Sequence, residues 1–127
     1  MTQDELKGRT KKFTIDIIRF VKNLPEGRDA WQIGDQLYRA GASVGSNYRA
    51  ACRSKTKPTF IHKMGIVEEE ADECCFWLEI LIELGIGNKK EAGVLLKEAM
   101  ELTAIFTATN KKLTLNLGSN KRTSIKN

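Results

Sequence analysis

Four stretches of this chain repeat apolar residues every three or four positions, and only short breaks separate them. That period matches the 3.6-residue turn of an α-helix, so each stretch can bury one face against a neighbour. No stretch alternates apolar and polar residues as a half-buried strand does. The breaks, around residues 25–28, 55–57 and 86–87, are too short for crossover connections. Consecutive helices must therefore run antiparallel. The expected fold is all-α, an antiparallel up-and-down four-helix bundle over residues 1–115. From Asn116 the chain is basic, polar and without period, which predicts a disordered tail over 116–127. With 127 residues and 41% hydrophobic content, one domain can bury a core without staples.

The first helix is expected from Asp4 to Leu24. Thr2 and Glu5 form a capping-box pair, and Leu6, Phe13, Ile17, Phe20 and Leu24 share a face. The second, over 29–54 with Asp29 as cap, is unusual. Two serines and two glycines in "QLYRAGASVGSNYRAACR" read as loop, yet Leu37, Gly41, Val44, Tyr48 and Ala51 keep a helical period. Each glycine costs about 1 kcal/mol relative to alanine inside a helix. Close approach of a neighbouring helix at Gly34 and Gly41 would offset that. The opposite face carries Asp35, Arg39, Ala42, Ser46, Arg49 and Arg53.

The third helix should start near Pro58 and stop at Gly85, with Phe60, Met64, Val67, Ala71, Cys74, Leu78 and Leu81 in one stripe. Ile66, Phe76, Trp77 and Ile80 lie off that stripe and would stand in water on a monomer. The fourth begins at Asn88, capped by Asn88 with Glu91 three residues on.

Most catalytic chemistry lacks its residues. The cluster Glu68, Glu69, Glu70, Asp72 and Glu73 has no Glu-x-x-His partner, and His62 is the one histidine, so no di-metal carboxylate site is expected. Gly41-x-x-x-Gly45 lacks the Gly-Lys-Ser/Thr ending of a phosphate-binding loop, and the spacing instead suits close helix packing. The three cysteines, Cys52, Cys74 and Cys75, form no CxxC and point to reduced thiols in a cytoplasmic protein. The first twelve residues have no apolar signal region, and no run is long and apolar enough to cross a bilayer. Neither an enzyme activity nor a cofactor, a metal or a membrane partner is expected.

The charge is polarised. Residues 1–63 carry 13 Lys or Arg against 6 Asp or Glu, residues 64–110 carry 3 against 10, and residues 111–127 carry 5 against none. The basic candidates for phosphate contact are Lys7, Arg9, Lys11 and Lys12 at one end, and Arg39, Arg49, Arg53, Lys55 and Lys57 along the second helix and its link. The same arginines could instead serve subunit contacts. Ile66, Glu73, Phe76, Trp77 and Ile80, with the small Ala42 and Ser46, are the expected oligomer interface, an acidic third-helix face meeting a basic second-helix face head to tail.

Three segments, "RTKKFTIDIIRFVKNLP" (9–25), "IGDQLYRAGASVGSNYRAACRS" (33–54) and "FIHKMGIVEEEADECCFWLEIL" (60–81), resemble the bacterial four-helix-bundle proteins encoded in intervening sequences of 23S ribosomal RNA genes. The resemblance covers roughly residues 6–106. Its most specific parts are Leu24-Pro25, the block Gln36-Leu37…Arg39…Gly45…Asn47-Tyr48-Arg49-Ala50, and Glu70-Ala71-Asp72-Glu73…Trp77-Leu78-Glu79. It implies a homopentamer of up-and-down bundles, no enzyme activity, and a role with ribosomal RNA or another nucleic acid. Similar accessory proteins of diversity-generating retroelements are basic pentamers that contact nucleic acid and a reverse transcriptase. This chain departs from them in its acidic third helix. The expected function is thus RNA binding by an oligomeric bundle, and the alternative is a protein–protein scaffold or adaptor.

Overall fold

Thr2 Oγ1 accepts the amide of Glu5 at 3.0 Å and so starts α1 (Gln3–Lys22). A computed structural model describes the backbone of residues 1–126 and the side chains of residues 1–116. The tail expected over 116–127 lies, beyond Asn116, outside the residues whose side chains are described. The second helix, α2 (Arg28–Cys52), begins one residue earlier than expected. Gly27 takes φ 138° as its N-cap and supplies no side-chain bond. Asp29 is therefore not the cap. It lies in the first turn, where its charge still favours the positive helix end. Arg53 is the C-cap, so the helix ends two residues before the expected Ser54.

α3 (Lys57–Leu84) is capped by Thr56, whose Oγ1 accepts the Thr59 amide at 3.3 Å, with Pro58 in its first turn. It stops at Gly85, left-handed at φ 67°. In α4 (Lys89–Lys126), Asn88 Oδ1 caps the first turn by accepting the Glu91 amide at 2.9 Å. Thr2, Gly85 and Asn88, read from local spacing as start and stop residues, are thus caps in the structure, and Asp29 is not.

Each helix packs on its neighbours in sequence, and α1 closes the ring against α4. Among the described residues no Cα atoms of the diagonal helices come within 8 Å of each other, so those helices meet only through side chains at the centre. This is the up-and-down bundle. Phe13, Ile17, Leu37, Val44, Val67, Leu78, Leu102 and Phe106 form its fully buried centre. Tyr48 packs its ring 5.8 Å from that of Phe106.

The α1–α2 seam is close at two glycines. A Cβ on Gly41 would stand 2.6 Å from Ile17, and one on Gly45 would stand 2.5 Å from Thr14 Oγ1. The Gly41-x-x-x-Gly45 spacing is thus a packing device, and the segment is helical as its period predicts. The off-stripe residues of α3 are less exposed than a bare helix would leave them. Trp77 packs against the core and donates Nε1–H to Glu73 at 3.3 Å. Ile66 and Ile80 are half-buried. Only Phe76 is exposed, at 50%, with its ring edge-on to Trp77.

Candidate nucleic-acid interface

On α2 the positions of Ala42, Gly45, Ser46, Arg49 and Arg53 follow one another at three- and four-residue steps, which puts them on one face. On α1 the same holds for Lys7, Gly8, Lys11 and Thr14. The glycine-mediated approach of the two helices brings these faces together. They line a groove of about 550 Å³ whose floor is Gly8, Thr14, Ala42, Gly45 and Ser46 and whose rims carry Lys7, Lys11, Arg49 and Arg53. No carboxylate lines it. Among the described residues Lys11, Arg49 and Arg53 have no ion-pair partner, and Lys7 meets only the exposed Asp4, at 3.2 Å. Four positive charges held around an uncharged floor repel one another and favour an anion among them.

The other expected basic residues go elsewhere. Arg9 turns to α4, donating from Nε to Glu98 Oε2 at 2.8 Å and from Nη2 to Glu98 Oε1 at 2.6 Å and Glu101 Oε2 at 2.7 Å. Its pKa is raised above the ordinary arginine value, first by the hydrogen bond to Glu98. Lys12 reaches Asp16 at 2.6 Å on that same side of α1. Arg39 pairs with Asp35 at 3.2 Å. Lys55 is exposed in the α2–α3 connection and Lys57 is the exposed first residue of α3, both just past the Arg53 end of α2. So of nine expected basic residues, Lys7, Lys11, Arg49 and Arg53 share one groove, and Arg9 and Lys12 are committed within the chain.

Ala42 and Ser46, expected at an oligomer interface, line this groove. Thr14 was not legible as a site residue, although a hydroxyl facing a glycine pair is the signal. Glu68 belongs to a hydrogen-bonded cluster, accepting from Thr107 at 2.9 Å and from Asn110 at 2.7 Å. Glu70 has its pKa raised, by burial first and then by Glu73 and Glu69. Among the described residues no group of His, Cys, Asp or Glu is placed to hold a metal ion, and none of the helices is long and apolar enough to cross a membrane.

Bundle and groove together define a small antiparallel four-helix protein with a cationic groove that no carboxylate lines. The chain belongs to the 23S rRNA-intervening sequence protein family, which matches it over residues 4–108. A protein of unknown function from the S23 ribosomal protein family of Bacteroides thetaiotaomicron VPI-5482 has a similar crystal structure, with a TM-score of 0.79 and 25% sequence identity over 87% of this chain and 99% of that one. No curated protein matches the chain.

Proposed function

We propose that this chain is a non-enzymatic, oligomeric bundle of the cytoplasm that binds RNA through the α1–α2 groove. One observation carries the reading: Lys7, Lys11, Arg49 and Arg53 come from two helices to line a groove that contains no carboxylate. Such a strip neutralises phosphates and releases their counterions. Family membership adds an RNA context. The oligomer is proposed as a homopentamer from the resemblance to the intervening-sequence proteins, with the exposed Phe76 and the Glu73–Trp77 pair of α3 at the subunit contact.

The test is RNA affinity over a salt series, read by anisotropy of a labelled transcript. Engagement of all four cations gives a slope of log K against log salt near −3, about −0.7 for each phosphate on a single strand. Reversing two charges together, Arg49→Glu and Arg53→Glu, should weaken binding more than tenfold with the oligomer mass and helix content retained. Unchanged binding refutes the groove as the RNA site. A broken oligomer favours the scaffold reading, in which the arginines hold subunits together.

A further inference from the structure

The α2 face that carries Arg49 and Arg53 continues past the cationic groove. Toward the helix N-terminus it passes Ala42, Tyr38, Asp35 and Trp31, which fall within roughly 60° of one another at 100° per residue. Trp31 is 69% exposed and Tyr38 44% exposed. They line a second groove, of about 540 Å³, between α2 and the last turn of α1 with the connection that follows it, walled by Val21, Leu24 and Pro25. The two grooves lie end to end on one side of the bundle, one cationic and one aromatic.

The aromatic groove carries little uncompensated charge. Asp35 is paired with Arg39 at 3.2 Å, which leaves Glu26 as its one carboxylate without a partner among the described residues. A tryptophan left in water gives up one of the largest burials available to a side chain, so its exposure beside a phosphate-binding strip calls for a flat apolar ligand. Bases of an unpaired strand are such ligands, whereas those of a duplex stay stacked on each other and offer only phosphates. From Trp31 to Arg53 the face runs about 33 Å at 1.5 Å per residue. Single-strand sites of roughly 4–16 nucleotides have this scale.

We infer that the α1–α2 face is a site for unpaired RNA, with Trp31 and Tyr38 stacking on bases while Lys7, Lys11, Arg49 and Arg53 hold the neighbouring phosphates. The inference rests on the cationic groove being the RNA site, and adds to it a discrimination between single strand and duplex.

The probes are a labelled oligoadenylate and a hairpin of equal phosphate number whose paired strands are joined by a non-nucleotide linker, each read by anisotropy. Trp31→Ala and Tyr38→Ala should each weaken oligoadenylate binding by about tenfold, the range reported for loss of one stacked base. Hairpin affinity, oligomer mass and melting temperature should not move. In a Trp77→Phe background, Trp31 is the sole tryptophan, and its fluorescence should be quenched by oligoadenylate and not by the hairpin. Anisotropy needs no such background, so a poorly folding Trp77→Phe variant leaves the test intact. Unchanged oligoadenylate affinity in both aromatic variants overturns the inference while sparing the cationic groove. An equal loss for both probes, or a broken oligomer in Trp31→Ala, also overturns it, the latter by assigning the rings to a subunit contact. Loss of all RNA binding by the unmodified protein refutes the groove reading itself.

Discussion

Thr14 Oγ1 donates a 2.6 Å hydrogen bond to the carbonyl of Gly41 and accepts the amide of Gly45 at 3.2 Å. One hydroxyl of α1 thus bridges two backbone groups of α2 that are themselves four residues apart, the spacing of a helical hydrogen bond. It can do so only because neither glycine has a Cβ. The contact fixes how α1 and α2 are rotated about their axes, and that rotation turns Lys7 and Lys11 toward Arg49 and Arg53. The groove is a consequence of the packing.

Adding a methyl group at this seam should therefore be costly. Gly41→Ala and Gly45→Ala place a Cβ 2.6 Å and 2.5 Å from α1 side chains. Each should destabilise the bundle by about 1–3 kcal/mol, the usual range for overpacking. Gly65→Ala and Gly93→Ala meet nothing within 4 Å. They should stabilise by roughly 0.5–1 kcal/mol, because alanine loses less backbone freedom in a helix. Urea unfolding of the four variants checks both signs.

Arg9 separates stability from binding. Its fork on Glu98 and Glu101 joins α1 to α4, with only about a quarter of its side chain in water. Arg9→Ala should cost about 1 kcal/mol of stability, discounted for that exposure, and leave RNA affinity unchanged. Lys11→Ala should do the reverse. Paired denaturation and anisotropy measurements on the two variants decide the matter.

Thiol labelling should report the groove directly. Cys52 is partly exposed and lines it, whereas Cys74 and Cys75 are buried. Burial is the main cause that pushes both of the latter thiols above the ordinary cysteine value, which withholds the reactive thiolate. Iodoacetamide at mildly alkaline pH should modify Cys52 in the native protein and the other two only after unfolding, as read by peptide mass spectrometry. Bound RNA should slow the reaction at Cys52.

Glu70 gives a pH signature. Its carboxyl pKa is raised in the folded protein from an ordinary value of 4.5. The folded state then binds this proton more tightly than the unfolded chain does. The resulting stabilisation is fully present below the unfolded value and is lost as pH rises through the raised one. Glu70→Gln should leave the melting temperature unchanged at the acid end of that window and raise it above the window. Thermal melts across the mildly acidic range test the sign.

The local grammar of the fold was legible because it is settled within a turn or two. Thr2 with Glu5, Asn88 with Glu91, and Gly85 as a left-handed stop each involve residues no more than three apart. Asp29 misled because Gly27, two positions earlier, turns the chain at a φ that most residues avoid.

The sequence by itself determined four amphipathic helices, their order, their antiparallel sense and the glycine pair that lets two of them touch. These follow from period, caps and loop length, which are properties of neighbouring residues. Only the tertiary structure decided which charges are free. Arg9 and Glu98 are 89 positions apart and meet at hydrogen-bond distance, while Lys7 and Arg49 join one groove and Trp31 stays in water beside it. Those outcomes depend on the rotation of each helix about its own axis, and that angle is set by side chains interlocking across the bundle.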